Sequence, residues 1–199
     1  MKLSQNARQT ATLVALFAVA AYLFRTYTEM LSHPERTLFE HLWRQARYFT
    51  YLTTLMIAYS FARFGRTGRA RPDWAAALAV WAAIIGVVYH ALLARDLHGL
   101  EWWADHGLHT VLPIAVVLWW IRFAPKTSLK RGHSAQWLIW PALYSSYALI
   151  RGEVDGRHPY FFLDPPLVGW PTVIAYAVGL MITFWLTGLA LIMLAKRIR

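Results

Sequence analysis

The sequence predicts an all-α, polytopic membrane protein with a single domain over residues 1–199, and three observations carry that expectation. Hydrophobic residues make up 58% of the chain and charged residues only 15%, whereas soluble domains carry about a quarter charged residues. The apolar residues form six long blocks, each near the roughly 20 residues that cross a bilayer's hydrocarbon. The charges between the blocks also differ in kind from one side to the other. One set of connections holds thirteen bases (Lys2, Arg8, Arg63, Arg66, Arg69, Arg71, Arg122, Lys126, Lys130, Arg131, Lys196, Arg197, Arg199) and a single acid, Asp73. The opposite set holds seven bases and nine acids. The positive-inside rule then places both termini in the cytoplasm. Topology and anionic headgroups account for the formal net charge of +10, and no nucleic-acid partner is expected. Cysteine is absent, so no disulfide framework exists.

The first span, 9–25, follows Lys2 and Arg8. Ala18-Val19-Ala20 looks like a signal-peptidase site, but the apolar run continues past it, so a retained helix is expected; cleavage would leave five spans. Residues 26–45 are polar, with an amphipathic helix around "TLFEHLWRQ". The second span, 46–63, opens with "ARYFTYLTTL" and carries Thr50, Thr53 and Thr54 one to two turns in. The link "GRTGRARPD" breaks the helices around it with Gly and Pro. In the third span, 74–94, Ala75, Ala79, Ala83 and Gly86 allow close helix approach, and His90 lies in the last turns. The fourth span, 105–122, begins with Asp105, His106 and His109. The fifth, 135–151, ends at Tyr147 and Arg151, and the sixth covers 171–195. Between them lies a loop rich in Pro, Gly and aromatics. Its Tyr160, Phe161, Phe162 and Trp170, with Trp102 and Trp103, fit an outer aromatic belt.

With a rise of about 1.5 Å per residue, the polar side chains of the spans fall in one shallow outer layer. Each has a plain structural reading. A Thr in a membrane helix hydrogen-bonds back to its own carbonyls, a His at a helix end sits at the interface, and Arg47 and Arg151 snorkel to headgroups. Their coincidence at one depth suggests chemistry. A hydroxyl nucleophile needs a base, and the base needs an orienting partner. His109 fits the base. Asp105, four residues earlier, fits the partner, with His106 as a second candidate. If His109 lies in a first helical turn, free amides there could receive an oxyanion. Two competing readings remain open: a metal or haem site built on His90, His106 and His109, and a non-catalytic lipid-binding or transport bundle with the same polar pocket.

"DHGLHTVLP" (105–113) resembles a motif of the androgen-induced gene / FAR-17a family of integral membrane threonine hydrolases, which reads Asn-His-x-x-His-Thr before an apolar stretch with Pro. Asp105 stands where the family has Asn. "RQARYFTYLTTL" is similar to the family's Trp-Lys-aromatic-Leu-Thr-Phe segment and aligns Thr50 with the nucleophile; a shifted match selects Thr53. "GRHPYFFLD" resembles the family's Tyr-Pro-Phe-Leu, with Phe161 where Pro is usual. The likeness runs from about residue 45 to 195 and is closest to the bacterial relatives. It implies a six-span fold in a cell membrane, most simply a bacterial inner membrane, and no cofactor. It further implies hydrolysis of lipid esters of the fatty-acid ester of hydroxy fatty acid type, with Thr50 as nucleophile and His109 as catalytic His. Trp102, Trp103, Phe161 and Phe162 would then hold an acyl chain from a substrate entering through the bilayer.

Overall fold

The computed structural model describes residues 2–198, so Arg199, one of the thirteen bases, lies outside the described residues. Ten α-helices are present among them: α1 (Gln5–Ser32), α2 (Leu38–Gln45), α3 (Phe49–Thr67), α4 (Pro72–Val88), α5 (Gly99–His106), α6 (Leu112–Phe123), α7 (Gly132–Gln136), α8 (Ile139–Asp155), α9 (Pro165–Val168) and α10 (Trp170–Arg197). A π-helical turn, Tyr89–Leu93, extends α4, and a second, Gly107–Val111, joins α5 to α6 without a break. The architecture is an all-α bundle. Four helical segments are long and apolar enough to cross a membrane: Gln5–Ser32, Pro72–Leu93, Gly99–Phe123 and Trp170–Arg197. The other two expected spans correspond to α3, of 19 residues, and α8, of 17.

Helix α4 is at the centre. From Ala75 to Ala82 every residue is buried, which matches its apolar composition on all faces. Its small residues let neighbours close in. A Cβ on Gly86 would lie 3.3 Å from the His109 carbonyl oxygen and 3.6 Å from Pro113 Cβ, so Gly86 sets how near the Gly107–Val111 turn comes to α4. Helices α1 and α3 form a second close pair. Ala7, Ala11, Ala15 and Ala18 are buried along α1, and a Cβ on Gly65 would overlap Thr12.

Two elements differ from expectation. The fourth span begins six residues earlier, at Gly99 rather than Asp105. "GLEWW" is polar enough to read as a loop, yet Gly99 (φ 59°) releases the chain into a helix whose first turn carries Glu101, a placement the helix dipole favours. The fifth span is divided: α7 stops at Gln136, and Ile139 restarts the helix as α8. The amphipathic segment forms as α2. Thr37 Oγ1 accepts from Glu40 N–H at 3.3 Å and Glu40 Oε2 accepts from Thr37 N–H at 2.7 Å, a complete capping box.

Arg47 and Arg151 do not snorkel. Both are buried. Arg47 donates to Asp155 Oδ1 and Oδ2, each at 2.8 Å, and to the Arg157 carbonyl. Arg151 donates to the Trp43 carbonyl at 2.6 Å and to Tyr147 Oη at 2.7 Å, with its guanidinium 4.1 Å from the Trp43 ring centroid. The reason is partnership: Asp155 and the carbonyls of Trp43 and Arg157 satisfy guanidinium donors inside the protein, so neither needs a headgroup.

Candidate functional site

Thr50 is the second residue of α3, behind the N-cap Tyr48. The first bond of that helix runs from Leu52 N–H to Tyr48 O at 3.4 Å, so the amides of the preceding turn have no carbonyl of their own helix to meet. That of Phe49 donates to Tyr160 Oη at 3.1 Å. Thr50 is buried and makes no hydrogen bond back to its helix. Thr10, Thr12, Thr26 and Thr67 all do so, each to the carbonyl four residues earlier. Thr53 is committed elsewhere: its Oγ1 accepts from Trp140 Nε1 at 3.0 Å, and it lines neither of the cavities at Thr50.

His109 lies inside the π turn Gly107–Val111. Its Nδ1 is 3.0 Å from the Asp105 carbonyl oxygen and 3.3 Å from Asp105 Oδ2. Both neighbours accept only, so in the neutral imidazole Nδ1 carries the proton and Nε2 is the basic nitrogen. The ring is held flat against Tyr89, with centroids 4.1 Å apart and planes 11° from parallel. Tyr89 opens the other π turn, so two widened turns face each other across α4 and α5–α6, a feature frequent at functional sites. His109 is not in a first helical turn, since its helix starts at Gly99. The free amides expected beside it are instead on the other partner, at the start of α3.

Thr50 and His109 line the same two cavities. One is narrow and apolar, about 60 Å³, walled by Phe49, Ile84, Ile85, Tyr144, Phe162, Met181 and Phe184 from α3, α4, α8, α10 and the outer loop. The other is polar, about 200 Å³, and lined by Arg25, Glu29, Tyr51, Arg95, Glu101 and Asp105. Thr50, Tyr89, Leu93, His109 and Tyr160 belong to both, so they form the neck between an apolar chamber and a polar one. Among the described residues no hydrogen bond joins Thr50 to His109.

The polar chamber is rigidly built. Glu29 accepts from Tyr51 Oη at 2.8 Å and from Gln45 Nε2 at 2.9 Å, and Arg25 Nε approaches it at 3.3 Å, which ties α1, α2 and α3 together. On the opposite wall of the neck, burial pushes the Tyr160 phenol up to about 12, so it is a neutral O–H donor at physiological pH.

The remaining expected residues are placed as follows. Phe162 lines the apolar cavity; Phe161 packs edge-on against Tyr176 and does not. His106 Nδ1 donates to the Trp102 carbonyl at 3.0 Å, and the ring stacks on that of Trp102. Trp103 is 65% exposed. Trp102, Trp103 and His106 line neither cavity. His90 contacts Thr110 Oγ1 at 2.9 Å. No group of three or more His, Cys, Asp or Glu side chains converges as a metal site requires among the described residues. The sequence reading left Tyr89 without a role and placed Tyr160 only in the outer aromatic belt. A faint signal existed for Tyr160, which sits in the Pro- and aromatic-rich loop; none existed for Tyr89. No known protein family, curated protein or solved structure matches the chain.

Proposed function

We propose that this chain is a membrane-embedded lipid ester hydrolase with Thr50 as nucleophile and His109 as base. The observation that carries the reading is the shared neck: a buried Thr hydroxyl without a helix partner and an imidazole with a free Nε2 line the same apolar and polar cavities. The motifs that resemble the androgen-induced gene / FAR-17a family surround these same two residues. The proposal includes the finer topology: α3 and α8 complete six spans, both termini are cytoplasmic, and the neck lies toward the outer leaflet of a cell membrane, that of a bacterium on the motif likeness.

In the proposed reaction the acyl chain occupies the apolar cavity and the ester carbonyl sits in the neck. Thr50 Oγ1 attacks the carbonyl carbon and its proton passes to His109 Nε2. The tetrahedral oxyanion has donors available in the Tyr160 hydroxyl and the open amides of α3's first turn. Collapse expels the alcohol, which takes the proton from His109. Water, deprotonated by His109, then attacks the acyl-Thr50 ester, and the acid leaves as Thr50 Oγ1 takes that proton back from His109. Asp105 holds the imidazole by Nδ1 throughout. Catalytic hydrogen bonds shorten in the substrate complex, so the gap between Thr50 and His109 is closed by the reacting group itself.

The test is covalent labelling with a fluorophosphonate probe, followed by peptide mapping. The adduct is expected on Thr50. Thr50→Ala should abolish labelling and esterase turnover, Thr50→Ser should retain both, and His109→Ala should lower turnover ~10²–10⁴-fold. Folded Thr50→Ala and His109→Ala proteins that hydrolyse at the wild-type rate would sink the enzyme reading and leave a lipid-binding or transport bundle.

A further inference from the structure

A third cavity opens at the same end of the bundle, apart from the neck. It measures about 410 Å³ and is lined by Arg36, Arg44, Arg47 and Arg157, with Glu40, Asp155 and Trp43. Four guanidinium groups thus face two carboxylates, and both carboxylates are already engaged. Asp155 binds Arg47 through two bonds of 2.8 Å. Glu40 Oε2 closes the capping box on Thr37 N–H and Oγ1 at 2.7 and 2.9 Å. Arg36 pairs with Glu35 at 3.3 Å. The guanidinium groups of Arg44 and Arg157 make no hydrogen bond or ion pair with any described residue.

Two unpartnered planar forks on one cavity match the oxygens of a tetrahedral anion, which guanidinium groups bind in bidentate fashion. The wall is pre-set. Arg47 is locked by Asp155 and the Arg157 carbonyl, so the backbone that bears Arg157 is held against the α2–α3 junction before any ligand arrives. The adjoining helix α2 presents Leu38, Phe39 and Trp43 outward, each more than half exposed. An amphipathic helix with such a face lies in the interface plane, its apolar side in the acyl boundary. That depth places the cavity level with headgroups. We propose that the Arg36–Arg44–Arg157 cavity is a phosphate-group site occupied by the headgroup of an anionic phospholipid, whose acyl chains run beside Leu38 and Phe39.

The experiment uses the full chain, delipidated in a maltoside detergent, and measures bound lipid by native mass spectrometry. The titrants are phosphatidylglycerol, phosphatidylcholine and inorganic phosphate in turn. Wild-type protein is expected to retain one phosphatidylglycerol in preference to phosphatidylcholine. Arg44→Gln with Arg157→Gln should weaken that binding about tenfold per arginine. Both side chains reach solvent, so their loss leaves the core untouched. Lys130→Gln with Arg131→Gln removes the same charge from the connection between α6 and α7, where both side chains are exposed, and should leave the affinity unchanged. Equal losses in the two double variants would reduce the effect to general charge attraction and overturn the site. Inorganic phosphate that saturates the cavity and excludes phosphatidylglycerol at equal concentration would overturn the lipid as its source.

Discussion

Replacing Arg47 tests the two-bonded ion pair that it forms with Asp155. Its side chain is 7% exposed and its carboxylate partner Asp155 is 29% exposed. Arg47→Gln removes two charge-assisted bonds to Asp155 and one to the Arg157 carbonyl. At about 1.5–3 kcal/mol for each bond to a charged group, simple addition overshoots, because Asp155 still reaches water and keeps Arg151 Nε at 3.4 Å. Breaking a fully buried pair costs about 3–5 kcal/mol; partial exposure lowers the expected loss here to about 2–3 kcal/mol. Asp155→Asn should cost less, because Arg47 keeps the Arg157 carbonyl. A double-mutant cycle with Arg47→Gln should give a coupling of about 1–2 kcal/mol. The assay is reversible unfolding in mixed micelles of increasing SDS fraction, followed by tryptophan fluorescence. The cycle also has a pH signature. The Arg47 guanidinium holds the Asp155 carboxyl below its ordinary range, so the contribution is complete above the unfolded carboxyl's pKa of about 3.9. It is lost as pH falls through the depressed folded value. A coupling under about 0.5 kcal/mol near neutral pH would refute the claim that this pair holds the end of α8 to the junction between α2 and α3.

Three further outcomes follow from packing. Gly152→Ala places a Cβ in overlap with the His158 ring, and such overpacking should cost about 1–3 kcal/mol, read in the same unfolding assay. Gly86→Val should drive the His109 backbone off α4, slowing probe labelling at Thr50 more than it lowers stability; unchanged labelling in folded protein would contradict that placement. Thr53→Val removes the acceptor for Trp140 Nε1 and should cost about 1–3 kcal/mol while Thr50 is labelled at the wild-type rate; loss of labelling on Thr53→Val in folded protein would shift the nucleophile by one turn.

Local signals in the sequence were informative where local physics decides. Six apolar blocks and the one-sided bases anticipate an all-α membrane bundle, and the capping pattern at Thr37 and Glu40 marks α2. Spacing by four brings Asp105 to His109 Nδ1 as helical geometry requires. The rest depends on contacts distant in sequence. Tyr160 reaches Phe49 N–H across 111 positions, and no periodicity encodes that. Arg47 reads as a headgroup anchor until the loop returns Asp155 to it. Trp102 and Trp103 have the composition of an acyl wall, but the early start of α5 turns them away from the neck. A π turn carries no residue pattern that distinguishes it from the α-helix around it, so Tyr89 and its stacking on His109 stay hidden until the backbone is traced.

The π turn between α5 and α6 also makes the neck sensitive to chain length. Leu112 N–H bonds to Gly107 O, five residues back, so the turn holds one residue more than an α-helix would. Each residue of an α-helix advances the face by about 100°. Deleting any single residue from Gly107 to Val111 would therefore restore an ordinary helix with α5 and α6 in nearly their present phase, because the widened turn already absorbs the surplus residue. The faces of α5 and α6 would be unaltered and the helix locally more regular, yet the widened turn that carries His109 would be gone. In this helix the surplus residue is a local swelling: one continuous rod keeps its faces on both sides while a single turn, the one bearing His109, stands wider than the rest.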